Sequence, residues 1–391
     1  MSLNLPYFLN PVDPAEFVGR EDILDALIAS LKNERSNSVY DIELLGPIGL
    51  GKTSTLLKIR SMATDYLTVY ISSIKCDENK FMDHLLQNIE REARSRDGMC
   101  ISFMDLSASL RLGNTSGDSA FIDALSRLPD KKVLILLDDA HNFSVEALIA
   151  LKSAVNQLRL LGDGHVRLIL ASTHPLTERL VKSGMSQSAA FLFSLELKNL
   201  SFQEAAILLT RLYPKWTKKS LDIAYSRTDG HPALTQMYSQ AYHKLASSDQ
   251  MLELFDVPSP KAPDSHSDWT ALGEYVLDIS KKVGFVQVSF EIISKCHQLV
   301  RNSALRWYES SWLQKPSSAE LKVVLVIAKL GGSAKFKDIE KGYGKNPAPQ
   351  LQRASEKGLI EHRSRGRYAL PHELLAEPLL DRYLKKKAAK N

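Results

Sequence analysis

The sequence predicts an α/β fold: a parallel sheet covered by helices on both faces, followed by a helical subdomain and a small basic module. Three observations predict it. Short apolar runs alternate with amphipathic helical patterns through the first half of the chain, strand signals stop after Leu197, and charge is partitioned unevenly along the 391 residues. Continuously apolar strands interleaved with helices are the pattern of a sheet buried on both sides.

Strands are expected over Asp41–Leu45, Tyr66–Ile71, Val133–Leu137, Val166–Ala171 and Leu192–Leu197. Helices are expected between them, over Glu21–Leu31, Thr53–Met62, Lys80–Ala93, Ser144–Leu158 and Pro175–Lys182, with an inserted hairpin at Cys100–Gly113. Ser201-Phe-Gln-Glu204 is a capping box that opens a helix, and two further helices flank Gly230-His231-Pro232. Pro258–Ser267 has a linker composition. The boundaries that follow are a core over 1–199, a helical lid over 200–254, a linker and connector over 255–316 and a basic module over 317–391.

In that last module, Ser317-Ser-Ala-Glu320 starts a helix that stops at Gly331-Gly332, and Ser333 is read as the cap of a short second helix. Asn346-Pro347 opens a third helix that Gly358 closes. Two strands, Leu359–Arg363 and Tyr368–Leu370, then surround a Ser-Arg-Gly-Arg turn. Three helices followed by a two-stranded wing is the winged-helix arrangement.

Composition excludes several classes. With 44% hydrophobic and 24% charged residues the chain is neither disordered nor a fibrous rod. No stretch approaches the roughly 18–20 apolar residues of a membrane span, and residues 1–11 lack a secretory pattern. Cys76, Cys100 and Cys296 have no metal-ligand or redox spacing, which fits structural thiols in a reducing cytoplasm. The net charge of +5 conceals a division. Residues 317–391 carry 16 Lys+Arg against 8 Asp+Glu, and the remainder 34 against 37. A net +8 on the last fifth beside −3 elsewhere suggests a polyanion-binding module; a solvated basic face is the plainer alternative.

Gly46-Pro-Ile-Gly49-Leu-Gly51-Lys52-Thr53 matches G-x-x-x-x-G-K-[ST] in full, between an apolar strand and an amphipathic helix. The glycines let backbone amides turn inward around a β-phosphate, and the helix N-terminus adds its dipole. Lys52 would neutralise the β- and γ-phosphates, Thr53 would ligate Mg²⁺, and Ser54 follows in the same turn of this ATP/ADP site. Val133-Leu-Ile-Leu-Leu-Asp138-Asp139 supplies the second half: Asp138 would hold the metal through water, and Asp139 would orient or deprotonate an attacking water, or else cap the strand. Its side chain is one methylene shorter than a glutamate, which points to slow hydrolysis. Ser172-Thr173 ends the next strand, with Thr173 in the position of a polar sensor; His141 and His174 are read as loop residues.

These residues, with Phe17-Val18-Gly19-Arg20-Glu21 and Gly230-His231-Pro232, resemble the AAA+/STAND ATPases, closest to prokaryotic origin-recognition-like members. The stretch 137–148 is also similar to the transposition-helper and secretion ATPases of that superfamily. The resemblance covers about residues 12–250 and, more loosely, 317–384. It implies that Val18, Gly19 and Arg20 approach the adenine, that Pro232 packs on the base from the lid, and that exchange of ATP for ADP changes the angle between subdomains. Ring-forming members carry an arginine that reaches a neighbour's nucleotide. Here Arg179 is the candidate after the sensor strand and Arg227 the one near the lid, so a switch is expected over a ring motor, with nucleotide-dependent self-association left open.

In the winged helix, Gln350, Arg353 and Lys357 would face outward from the third helix, and Arg363, Arg365 and Arg367 would line the wing, all toward double-stranded DNA. The alternatives are a defence or signalling ATPase whose winged helix docks a protein effector, and a nucleotide-binding scaffold with negligible turnover.

Overall fold

The structure, a computed structural model, describes residues 11–32, 41–73, 81–97, 121–122, 125, 132–160, 166–186, 192–211, 216, 218–248, 290–310, 316–364 and 366–388. The chain divides into two compact units, Pro11–Gly46 with Gly51–Lys198 and Pro47–Leu50 with Asn199–Asn391. The expected hairpin at 100–113 and linker at 258–267 lie outside the described residues.

The first unit is built on five parallel strands: β1 (Asp41–Leu45), β2 (Tyr66–Ser72), β3 (Lys132–Asp138), β4 (Val166–Ser172) and β5 (Leu192–Glu196), in the order β2-β3-β4-β1-β5. Every expected strand is present. The helices of this unit are α1 (Glu21–Lys32), α2 (Lys52–Met62), α3 (Phe81–Asp97), α4 (Val145–Leu160) and α5 (Leu176–Lys182). Successive β3 side chains point to opposite faces, yet Val133, Leu134, Ile135, Leu136 and Leu137 are all buried, so both faces are covered. On one face Val133, Ile135 and Leu137 share a core with Phe81, Leu85 and Ile89 of α3 and Leu151 and Val155 of α4. This is the P-loop NTPase fold. Because β4 lies between β1 and β3, the loop after β1, the end of β4 and the end of β3 come side by side on the sheet's C-terminal edge, where sheets of this class hold their ligands.

Two carboxylates inside β1 break the apolar pattern. Asp41 is buried and bridges Lys152 at 2.7 Å and Arg159 at 2.6 Å, both on α4. Glu43 is buried too, and accepts from the Ser172 hydroxyl (2.6 Å), the Ser194 hydroxyl (3.0 Å) and the amide of Leu176 at the start of α5 (2.9 Å). One strand is thereby tied to β4, β5, α4 and α5 through polar contacts.

The second unit begins with three helices, α6 (Phe202–Thr210), α7 (Lys218–Thr228) and α8 (Pro232–Ser248), then α9 (Phe290–Ser310). The Ser201/Glu204 capping box forms as the sequence predicts. The basic module runs α10 (Ser318–Lys329), β6 (Ser333–Lys335), α11 (Phe336–Tyr343), α12 (Ala348–Glu356), β7 (Glu361–Ser364), β8 (Arg367–Ala369) and α13 (Ala376–Ala388). The three helices and the strands β7 and β8 fall where the sequence predicts them, and β6 is an additional strand between the first two helices. Ser333 does not cap a helix: it enters β6, which pairs antiparallel with β8, and the sheet therefore has three strands, ordered β6-β8-β7. Towards the C-terminus, Leu375 and Leu379 are fully buried. Tyr238 and Tyr242 of α8, Val300 and Tyr308 of α9, Ile327 of α10, Leu351 of α12 and Leu379 of α13 belong to a single continuous core. Among the described residues no helix is long and apolar enough to cross a membrane.

Candidate functional site

The loop between β1 and α2 is shaped by glycines. Gly49 and Gly51 adopt left-handed backbone angles of +82° and +84°, and Gly51 is the N-terminal cap of α2. The loop's first residue is fixed to the sheet, the Gly46 amide donating to the Ser172 carbonyl at 3.2 Å. Lys52, the first residue of α2, is buried and curls back to donate to the Gly46 carbonyl at 2.7 Å.

Beside it, Thr53 Oγ1 donates to Asp138 Oδ2 at 2.7 Å, joining the helix start to the end of β3. Asp138 is buried; its Oδ2 also accepts from the Tyr70 hydroxyl at 2.7 Å and its Oδ1 from the Asp139 amide at 3.1 Å. A hydroxyl and a carboxylate this close form an all-oxygen pair of the kind that suits Mg²⁺. The phenol of Tyr70 is held well above its ordinary pKa by burial and then by the charge of Asp138. Asp139 has a left-handed φ of 51°, and burial followed by repulsion from Asp138 raises its pKa, against the pull of Lys52.

Thr173 is half-buried just past the end of β4, between the loop and Asp138 in strand order. His141 is pushed down to about 3, first by burial and then by Lys52, His174 and Arg179, so it is neutral at physiological pH; its ring meets that of His174 edge-on at 6.4 Å. Arg179 donates to the carbonyls of His141 (2.7 Å) and Phe143 (2.9 Å). It clamps α5 to the turn that follows Asp139.

The N-terminal segment is laid along α2. Ser54 accepts from the Val12 amide at 3.2 Å, and Lys58 donates to the Pro14 carbonyl at 3.0 Å. Gly19 is buried with φ of +76°, next to half-buried Val18. Arg20, also left-handed at 66°, is buried and directs its guanidinium to Thr55 Oγ1 and the Lys198 carbonyl, both at 3.3 Å. That geometry makes the Arg20 side chain a brace against α2.

In the second unit, the loop tip meets the Gly230-His231-Pro232 segment. His231 Nε2 lies 3.2 Å from the Ile48 carbonyl, and the Ala233 amide donates to the Gly49 carbonyl at 3.3 Å. Pro232 is the first residue of α8. His372 accepts the Leu374 amide on Nδ1 (3.0 Å), which leaves the proton on Nε2 for the Thr228 carbonyl (3.1 Å), and its ring meets that of His231 edge-on at 5.8 Å.

On the basic module, Arg353 is exposed as helical spacing predicts, while Leu351 and Ala354 on the same helix are buried. Gln350 is half-buried with its side-chain oxygen enclosed, so it is less available than the spacing implies. Lys357 is not a free cation: it pairs at 2.8 Å with Glu320, whose side chain is 3% exposed. Burial opposes ionisation of Glu320, but bonds from Lys357 and Ser317 outweigh it and hold the carboxyl below its ordinary value. Arg363 and Arg367 are exposed on β7 and β8, Arg363 within 3.3 Å of Glu361, and Arg365 lies outside the described residues.

The family model of the AAA ATPase domain matches residues 16–169. No curated protein matches the chain. Among solved structures, the chain is similar to the Walker-type ATPase PABY2304 of Pyrococcus abyssi, with a TM-score of 0.63 at 14% identity over 95% of this chain and 98% of that one. It is also similar to the ORC2 protein of Aeropyrum pernix, in its ADPNP–ADP complexes, with a TM-score of 0.53 at 14% identity over 98% of both chains.

Proposed function

We propose that this protein is an ATP-binding, slowly hydrolysing switch whose nucleotide state governs its association with double-stranded DNA. The observation that carries the reading is the 2.7 Å bond from Thr53 to Asp138, beside a lysine already folded into the glycine loop. In this reading the loop amides and Lys52 take the β- and γ-phosphates, while Thr53, with Asp138 acting through water, holds the metal ion. Mg²⁺, when bound, supplies positive charge to the phosphoryl oxygens. Asp139 orients the attacking water, Thr173 senses the terminal phosphate, and Val18 and Gly19 contact the base. The nucleotide complexes of the ORC2 neighbour agree with this use of the fold. The commitment of Arg179 to two carbonyls within its own unit favours a switch over a ring motor.

DNA is assigned to the face carrying Arg353, Arg363 and Arg367, all exposed on α12 and the wing. Titrating a DNA duplex at several salt concentrations, in ATP and in ADP, tests this assignment. The triple variant Arg353→Ala, Arg363→Ala, Arg367→Ala is expected to bind more weakly, with the slope of log affinity against log salt flattened by about 0.9 per lost phosphate contact. The pairing of Lys357 with Glu320 favours one rival, in which this face docks a protein effector. An affinity and slope unchanged by the triple variant would overturn the DNA reading of this face.

A further inference from the structure

Tyr70 stands in β2, a strand that reads as an apolar run with no chemistry of its own, two residues before its end. The strand pairs in register with β3, Tyr70 opposite Leu136 and Ser72 opposite Asp138. From there the phenol reaches across to Asp138 Oδ2 at 2.7 Å, the same oxygen that accepts from Thr53, while Oδ1 takes the Asp139 amide. The aspartate side chain turns easily about its last bond. Thr53 and Asp139 bring one donor to each oxygen, but both sit at loop junctions, at the start of α2 and the end of β3. Of these three donors, the phenol alone comes from inside a neighbouring strand of the sheet, and its hydroxyl donates directly to the carboxylate.

We propose that Tyr70 is a positioning residue for the magnesium ion: its hydrogen bond to Asp138 fixes the plane of the carboxylate that orients the ion's water shell. The inference rests on the nucleotide reading above and adds to it a residue outside both signature segments. Groups that hydrogen-bond to metal-orienting carboxylates commonly change metal affinity by about 10- to 100-fold when removed.

The experiment titrates Mg²⁺ into the full chain with a fluorescent ATP analogue, and compares wild type with Tyr70→Phe, Asp138→Asn and the double variant. Tyr70→Phe keeps the ring, and its thermal unfolding verifies the fold. The expected result is a Mg²⁺ midpoint raised by roughly tenfold in Tyr70→Phe, with affinity for the analogue in EDTA within about twofold of wild type. The double variant should be no worse than Asp138→Asn alone, because the phenol acts only through that carboxylate. An unchanged midpoint, or additive effects in the double variant, overturns the inference while leaving the nucleotide reading intact. A wild-type chain that binds the analogue without any response to Mg²⁺ overturns the inference and the metal assignment together.

Discussion

Replacing Asp41 by alanine is expected to destabilise the unit built on the five-stranded sheet by about 3–5 kcal/mol, the loss typical of breaking a buried ion pair from one side. Asp41 holds two cations at once, Lys152 at 2.7 Å and Arg159 at 2.6 Å, and the Lys152 side chain is only 4% exposed. Truncation leaves an ammonium in an apolar interior with its counter-charge removed, and α4 must open to rehydrate it. Thermal unfolding should show a Tm lower by roughly 10 °C. The double variant Asp41→Ala, Lys152→Met should recover part of the loss, because it removes the stranded charge as well. A single variant within about 0.5 kcal/mol of wild type would mean that the charge finds water without opening the helix.

Gly230→Ala is the second large loss. Gly230 has a φ of +66°, and a Cβ placed there would lie 2.1 Å from the Leu200 carbonyl oxygen. The same two residues are locked by the Leu200 amide donating to the Gly230 carbonyl at 2.9 Å, so the clash cannot be relieved without breaking that bond. Left-handed strain and the lost bond together cost about 3 kcal/mol. The segment involved also carries His231 and Ala233, which contact the Ile48 and Gly49 carbonyls. Denaturant unfolding followed by tryptophan fluorescence should show an earlier transition, since Trp216 is buried in the core of this unit. An alanine variant as stable as wild type would show that the 199–200 segment can shift at little cost.

Why glycine stands at 230 was not legible in the sequence: the reason is a carbonyl thirty residues away. The same physical limit recurs elsewhere. The five strands and the glycine loop were readable because their signals are local, an apolar run or a fixed spacing. Asp41 and Glu43 were absorbed into such a run, since their partners lie 111 to 151 positions away. Tyr70 was passed over for the same reason. Lys357 looked free by helical spacing, yet Glu320, 37 positions earlier, takes its charge. Ser333 precedes a helix and reads as a cap, but pairing with Ala369 draws it into a strand. Leu375, in the turn before the C-terminal helix, and Leu379, inside that helix, are fully buried, and no local pattern in the sequence marks them as core.

The central claim, that the 46–53 loop holds ATP through Lys52, is tested most directly by calorimetric titration of the full chain with ATP in Mg²⁺, wild type beside Lys52→Ala. The buried Lys52 ammonium donates to the loop's own Gly46 carbonyl at 2.7 Å, so the side chain is already folded into the loop. The predicted result is one nucleotide per wild-type chain and an affinity at least about 100-fold weaker in the variant, the equivalent of roughly 2.7 kcal/mol. A wild-type chain that takes up no ATP, or a variant that binds it equally well, would contradict the account.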